Sequence, residues 1–217
     1  MQQRFKGFVC VLMLTLMAVG TVHAKDHARA ASELSELLSD YSTYQASFTQ
    51  FVTDGRGDRV QQTEGQLKAK RPGRFYWHTD APMEQIIVAR GDEVKVYDPD
   101  LLQVTVYPMD EQLSSTPALL LSGEVVDLEK SFHITRESDD EGGEKFILEP
   151  LDQDALFLEL IMEFQDGVLR EMRLHDSLDQ HSRLRFRDIE LNETIDDSVF
   201  ELDIPDGVDV IRNPEHG

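Results

Sequence analysis

The sequence predicts a mainly β fold, in which about eleven short strands follow one another in hairpin order and form one antiparallel meander that curls on itself. Two observations support this. From Tyr44 onward, apolar and polar residues alternate along most of the chain, which is the period of a strand with one buried face. Turn-forming pairs such as Asp98-Pro99 and Asp166-Gly167 stand between the alternating segments, where an antiparallel chain reverses.

Residues 1–24 have the pattern of a secretory signal. Arg4 and Lys6 precede an apolar run from Gly7 to Val19, and Val22-His23-Ala24 provides small residues at the cleavage position. The run is too short to cross a bilayer comfortably. We therefore expect the protein to be exported in soluble form.

The single cysteine, Cys10, lies inside that apolar run, where it is badly placed to become the lipidated first residue of a lipoprotein. It is removed with the signal. The remaining residues 25–217 are expected to form one domain without a disulfide, a thiolate nucleophile or a sulfur ligand for a metal. That domain must be held together by burial alone.

The chain is strongly acidic, with 42 Asp and Glu against 21 Lys and Arg and a formal net charge of -21. Such a surface repels nucleic acid and anionic lipid headgroups, which argues against DNA binding and peripheral membrane anchoring. The acidity is explained by solubility of an exported protein, and attraction to a basic receptor remains an alternative.

Two short helices interrupt the alternation. Leu34, Leu37, Leu38 and Tyr41 repeat at helical spacing and predict an amphipathic helix over residues 28–41. Thr116 is a plausible cap for a second helix, which would begin at Pro117, continue through Ala118, Leu119, Leu120 and Leu121, and end before Gly123. Three consecutive leucines make this second helix apolar on more than one side.

One strand carries a cation on its apolar face. Counted by twos, the residues that share this face are Leu67, Ala69, Arg71, Phe75 and Trp77. An inward guanidinium needs hydrogen-bonded partners, because an unpaired buried charge costs several kcal/mol. Alternatively, Pro72-Gly73 forms a bulge that returns Arg71 to solvent.

The other strands show the same alternation. The apolar residues that share a face within each strand are Val94 with Val96, Val104 with Val106, Phe132 with Ile134, Phe146 with Leu148, the run Leu156, Leu158, Leu160, Met162 and Phe164, and Leu184 with Phe186. Two charged segments, Asp54–Asp58 and Glu137–Glu144, are expected to be solvated hairpin tips.

No arrangement of residues suggests catalysis. The sequence has no Gly-x-Ser-x-Gly elbow, no glycine-rich phosphate loop and no His-Glu-x-x-His pattern, and the six histidines after the signal are scattered without ligand spacing. We expect neither an enzyme nor a metal or other cofactor.

Seven short segments occur in a recognisable order along nearly the whole chain; they are Ala46-Ser47-Phe48-Thr49-Gln50, Lys70-Arg71-Pro72, Phe75-Tyr76-Trp77, Tyr97-Asp98-Pro99, Gln103-Val104-Thr105, Thr116-Pro117 and Pro205-Asp206-Gly207-Val208. In this order they resemble the pattern of the LolA family of periplasmic outer-membrane lipoprotein carriers. Each segment is a common strand or turn fragment, and the ordered set makes the match specific.

The resemblance implies an incomplete antiparallel β-barrel covered by a lid of short helices, with a hydrophobic cavity between them. The N-terminal helix and the helix from Thr116 to Leu121 are the lid candidates. Arg71 corresponds to the basic residue that holds the lid closed by bonding to lid backbone. The implied cavity residues are Phe75, Trp77, Val104, Val106, Leu119, Leu120 and Leu121.

The function that the resemblance implies is transport of acylated lipoproteins across the periplasm. Its implied partners are an inner-membrane ABC transporter that loads the carrier and an outer-membrane receptor that unloads it, and the carrier is expected to be a monomer. A periplasmic sensor that binds lipid or lipoprotein in the same half-barrel, or a small secreted hydrolase, is an alternative.

Cleavage of the signal is directly testable. We expect the exported protein to begin at Lys25 and to carry no lipid, because cleavage after Ala24 removes Cys10. Mass spectrometry of the periplasmic form measures both properties, and an acylated amino terminus would instead indicate an anchored receptor.

Overall fold

The computed structural model of the chain describes residues 20–109, 117–123, 128–153 and 155–212. Its helical elements are α1 (Gly20–Ser39), α2 (Leu128–Ser131) and two 3₁₀ helices, η1 (Pro117–Leu121) and η2 (Asp197–Phe200). Its strands are β1 (Thr43–Thr53), β2 (Arg59–Lys70), β3 (Arg74–Thr79), β4 (Gln85–Arg90), β5 (Glu93–Asp98), β6 (Gln103–Pro108), β7 (Phe132–Ser138), β8 (Gly143–Pro150), β9 (Phe157–Gln165), β10 (Val168–Asp176), β11 (His181–Leu191) and β12 (Asp209–Arg212).

All twelve strands belong to one sheet in the order β12-β6-β5-β4-β3-β2-β1-β11-β10-β9-β8-β7. Strands β12 and β7 are its two edges and do not pair with each other, so the sheet is open and the predicted incomplete barrel is confirmed. Every pairing is antiparallel except that of β12 with β6, which is parallel. Sequence patterns missed β12. Its four residues are all exposed, so it has no buried face that would require apolar and polar residues to alternate.

One hydrophobic core fills the concave side of the sheet. Helix α1 lies against β7 and contributes Leu34 and Leu38, which are fully buried. It begins at Gly20 rather than at the predicted residue 28, and it ends at Ser39 rather than at residue 41. Within the described residues, no helix is both long and apolar enough to cross a bilayer.

The predicted leucine face of β9 is only partly correct. Leu160, Met162 and Phe164 are buried, whereas Leu156 and Leu158 are more than half exposed. The pairing with β10 is irregular at this end of β9. The irregularity shifts the side-chain alternation, so Phe157 faces the core in place of its leucine neighbours.

Strand register corrects the prediction for Val104 and Val106. Side chains at directly paired positions lie on the same face of a sheet. Trp77 pairs through Ile87 and Val96 with Thr105, so Thr105 belongs to the concave side. Its neighbours Val104 and Val106 therefore face the convex side, and they do not line the concave cavity.

The two valines are buried although they face outward, and the chain after β11 covers part of this convex side. Phe200 of η2 is almost fully buried and lies beside Val88, which is on the same face as Val106. Lys70 fixes the crossing segment through hydrogen bonds to the carbonyl oxygen of Ile195 at 2.8 Å and to Asp197 at 2.6 Å. The prediction that Val104 and Val106 share one apolar face of β6 is therefore correct. That face belongs to a second, smaller core on the convex side.

The convex face of β10 and β11 carries a cluster of arginines in this acidic protein. The carboxylate of Glu171 accepts hydrogen bonds from Arg173, Arg183 and Arg185 at distances from 2.6 to 3.1 Å. Burial alone would raise the pKa of Glu171, but the bonds from these three arginines outweigh it and lower the pKa. The negative charge is thus unevenly distributed between the two faces.

Phe200 tests the convex core. We expect Phe200→Ala to lower the free energy of unfolding by about 3 to 5 kcal/mol, because it leaves a cavity under the crossing segment. Urea unfolding followed by circular dichroism measures the change. Ile204→Ala, at a partly exposed site further along the same segment, is the control and should cost about 0.5 kcal/mol or less. Equal effects of the two substitutions would contradict a packed core between Phe200 and the convex side of the sheet at Val88.

Candidate functional site

Arg71 lies at the turn between β2 and β3, and its side chain points inward. Its backbone N–H bonds to the carbonyl oxygen of Ser42 at 3.0 Å, which continues the β1–β2 ladder by one residue. The guanidinium donates from Nη1 to the carbonyl oxygen of Gly123 and from Nη2 to that of Leu120 at 3.3 Å. The Pro72-Gly73 turn therefore does not return Arg71 to solvent.

The acceptors of Arg71 belong to the segment of residues 117–123, which we call the lid. Ala118, Leu119 and Leu121 of η1 are buried against the sheet. A second contact, from the N–H of Gly73 to the carbonyl oxygen of Ser122 at 2.7 Å, ties the lid to the same turn. Pro117 and Gly123 stand at the predicted start and end of the helix, and the predicted cap Thr116 lies outside the described residues.

The lid carbonyls satisfy a cation that is otherwise costly to bury. Burial lowers the pKa of the Arg71 guanidinium, yet an arginine stays charged at neutral pH. Charge-assisted hydrogen bonds to the last carbonyls of a helix are favourable. The Nε atom of Arg71 is buried without a partner among the described residues, which offsets part of that gain.

A cavity of about 560 Å³ opens beside the lid on the concave side of the sheet. Its apolar wall combines residues from both halves of the sheet with the start of the lid; these are Trp77, Ile87, Leu160, Met172, Leu174, Leu184, Pro117 and Ala118. Gln50, Thr63 and Thr79 add polar groups. The volume is within the usual range of ligand pockets, about 300 to 1,000 Å³.

Trp77 forms a rigid part of this wall. Its ring stacks on that of Phe48 with the centroids 4.0 Å apart, and its Nε1 donates to the hydroxyl of Thr79 at 2.9 Å. Both the ring face and the polar edge are therefore held by neighbouring side chains. A ligand that enters the cavity meets a tryptophan with a fixed orientation.

The remaining sequence-predicted cavity residues do not line the cavity: Leu119, Leu120 and Leu121 belong to the lid itself, and Phe75 belongs to the sheet. Phe75, Leu119 and Leu121 are packed in the core, and Leu120 is partly buried beside them. Sequence analysis missed Met172 and Leu174 as wall residues. Alternation in β10 was available as a signal, but no sequence pattern shows which end of a strand is left uncovered.

Acidic residues surround the rest of the cavity. Glu84, Asp98, Asp100 and Asp176 belong to its lining, and they come from three separate turns of the sheet. None of them has a basic partner within the cavity lining. The cavity therefore offers an apolar wall with a negative surround, which suits an uncharged apolar ligand.

Comparisons with known proteins agree with this architecture. The family model for the outer membrane lipoprotein carrier protein LolA matches residues 39–203. An outer-membrane lipoprotein carrier protein of Pseudomonas paraeruginosa is 44% identical over 205 residues, which cover 93% of this chain and 97% of that protein. One from Azotobacter vinelandii is 41% identical over 203 residues, with the same coverage of both chains.

Solved structures support the fold alone. A LolA superfamily protein from Nitrosomonas europaea superposes with a TM-score of 0.51 at 12% identity, over 82% of this chain and 98% of that one. An uncharacterised conserved protein from Thermus thermophilus gives a TM-score of 0.51 at 13% identity, over 86% and 99% of the two chains.

The hydrogen bonds of Arg71 predict how firmly the lid is held. Arg71→Leu removes both of them; at about 1.5 to 3 kcal/mol for each bond, the pair contributes about 3 kcal/mol or more, so we expect the amides of Ser122 and Gly123 to exchange at least about 100-fold faster. Arg71→Lys should give an intermediate rate, because an ammonium lacks the planar fork that reaches two carbonyls. Hydrogen exchange followed by NMR measures these rates. Arg56→Leu, at the exposed β1–β2 tip, is the control and should leave the exchange rates unchanged. If Arg71→Leu also leaves them unchanged, Arg71 does not hold the lid.

Proposed function

The chain belongs to the LolA family of outer-membrane lipoprotein carrier proteins, and from this premise we propose that it carries acylated lipoproteins through the periplasm with their acyl chains sheltered on the concave side of the sheet. The observation that supports this role is a cavity with one apolar wall, beside a lid held by Arg71. Carriers of this family work without catalysing a reaction, and the site described above serves binding.

The physical need for such a carrier is large. Exposing an acyl chain of about sixteen carbons to water costs on the order of 12 kcal/mol, at roughly 0.8 kcal/mol per methylene. A lipoprotein with several chains therefore leaves its membrane only if another apolar surface replaces the bilayer. A soluble protein with an internal cavity provides that surface while it diffuses.

We propose that loading requires the lid to move. The present cavity has the size of one ordinary ligand site, whereas a triacylated anchor brings three chains. Displacement of the lid would add the surface now packed beneath it. That surface includes Phe75 and the side chains of Leu119, Leu120 and Leu121, next to the wall formed by Trp77.

Closure of the lid would then help to expel the cargo. The Arg71 bonds and the apolar contacts of the lid exist only in the closed form, so they favour the empty state over the loaded one. Cargo binding must exceed their combined free energy. The lid thus lowers the affinity for acyl chains and makes release possible.

The proposed partners follow from this cycle. An inner-membrane ABC transporter would supply the free energy of loading, since this sequence has no nucleotide-binding motif. An outer-membrane receptor would accept the cargo at the end. The mature chain lacks a cysteine that could be lipidated, which suits the mobile carrier rather than the anchored receptor.

A transfer experiment tests the cycle. Each variant is loaded with a triacylated lipoprotein from transporter-bearing inner-membrane vesicles and ATP, and is then mixed with receptor-bearing vesicles. Arg71→Leu should accept cargo but release it about tenfold or more slowly, because loss of the latch favours the open, loaded state. Binding is followed by the emission of Trp77, the only tryptophan in the chain.

Arg56→Leu is again the control and should transfer cargo normally. Normal release by Arg71→Leu would remove Arg71 from the cycle. Failure of the unaltered protein to take up any lipoprotein, together with capture of a regulatory protein partner, would support a sensor instead of a carrier.

A further inference from the structure

Two histidines and an aspartate meet at one end of the β10–β11 hairpin. His175 and His181 are directly paired across the two strands, and their rings stack with centroids 4.2 Å apart. Asp179, in the turn between them, lies 3.1 Å from Nε2 of His175. One ligand atom from each of the three residues can be chosen so that all lie within 4.8 Å of one another.

We propose that His175, Asp179 and His181 form a binding site for a divalent transition metal, with Zn²⁺ as the ion that the ligands fit best. Imidazole nitrogens with one carboxylate suit zinc, copper and nickel, whereas calcium and magnesium prefer oxygen ligands throughout. This site is independent of the concave cavity and does not depend on the carrier function.

The geometry brings the ligands near one another but requires one ring to turn. Ligand atoms in a tetrahedral zinc site lie roughly 3.4 Å apart, given metal–ligand bonds of about 2.0 to 2.1 Å. Nε2 of His175 is 3.1 Å from the Asp179 carboxylate, but the two imidazole planes are nearly parallel, at 14° to each other. A metal lies in the plane of each imidazole that binds it, so the exposed ring of His181 must rotate out of the stack before both rings bind one ion. Either Glu159, which is paired with His175 on β9, or a water molecule would complete four-coordination.

The hairpin turn holds Asp179 in place. The carboxylate of Asp176 accepts hydrogen bonds from the N–H groups of Leu178 and Gln180 at 2.8 Å each. The Asp179 side chain also lies against the tip of the β1–β2 hairpin, where a Cβ added to Gly55 would be 2.0 Å from its Oδ2. Two neighbouring hairpins therefore determine the position of one ligand.

The charges around the site allow a cation to bind. Four arginines line the same groove on the convex face; they are Arg59, Arg173, Arg183 and Arg185. The last three are paired with Glu171, and Arg173 also with Glu163 at 2.8 Å, while Arg59 bonds to Gln62 at 2.8 Å. Asp179 and Glu159 supply negative charge at the site itself.

The site lies directly behind the cavity wall. Leu174 and Ser182 line the cavity and are the chain neighbours of His175 and His181. A bound ion would cross-link β10 and β11 at this point and restrict their separation. We therefore expect zinc to raise the melting temperature of the protein in a concentration-dependent way.

Zinc binding to the tag-free mature protein tests the proposal, measured by competition with a chromophoric chelator. We expect one site, and His175→Asn or His181→Asn should weaken it by at least about tenfold, since loss of even an outer-shell partner costs roughly 10- to 100-fold. Gly55→Ala should weaken binding less, because it displaces the Asp179 carboxylate without removing a ligand. Co²⁺ should show the intense visible absorption of tetrahedral coordination.

His78→Asn is the matched control, because His78 also lies beside two carboxylates, Asp80 and Glu84, on another hairpin. It should leave the zinc affinity unchanged, and Ca²⁺ should not compete with zinc. Unchanged affinity in both His175→Asn and His181→Asn, an equal loss in His78→Asn, or displacement of zinc by Ca²⁺ would each overturn the proposal. If His175 and His181 stack for packing alone, both substitutions should leave the zinc affinity unchanged.

Discussion

An open sheet with an apolar concave face is the constraint on which the rest of this structure depends. Strands β12 and β7 do not meet, so the sheet cannot bury its inner face by closing on itself and must be covered by other elements. Helix α1 covers the β7 side and the lid covers the region of β2. Of these two elements, as far as the structure describes them, only the start of the lid at Pro117 and Ala118 reaches the ends of β3, β4 and β9–β11, where the cavity lies. The candidate site is thus a part of the inner face that the described covering elements leave open.

The lid is held through its backbone, and this affects how it can work. Arg71 and the N–H of Gly73 contact carbonyl oxygens of Leu120, Ser122 and Gly123, which every sequence of the lid would present. The side chains of the lid are therefore not needed for these bonds and can all be apolar. The backbone hydrogen bonds fix the closed position, and the apolar side chains provide the surface that opening would expose.

The sequence was informative wherever a local pattern decides the structure. Alternation put Arg71 on the apolar face with Leu67 and Ala69 but left open a bulge that would return it to solvent, and the hydrogen bonds to the lid carbonyls decide for the inward position. Alternation also showed that Val104 and Val106 share an apolar face, but it cannot tell which side of a sheet is covered. That depends on residues far along the chain, such as Phe200 beside Val88. His175 and His181 are likewise brought together by hairpin register, which no ligand-spacing rule for helices or loops detects.

The distribution of charge affects how a loaded carrier approaches a surface. Glu84, Asp98, Asp100 and Asp176 surround the cavity, whereas arginines gather on the convex face around Glu171. A loaded carrier that approached an anionic bilayer with its cavity forward would meet repulsion within about a Debye length, near 8 Å at physiological salt. This repulsion, roughly 1 kcal/mol for each charge, opposes the approach but is smaller than the gain of about 12 kcal/mol from inserting one acyl chain. The acidic surround therefore acts on how a loaded carrier approaches a surface, and a surface that presented basic groups to it would attract it instead.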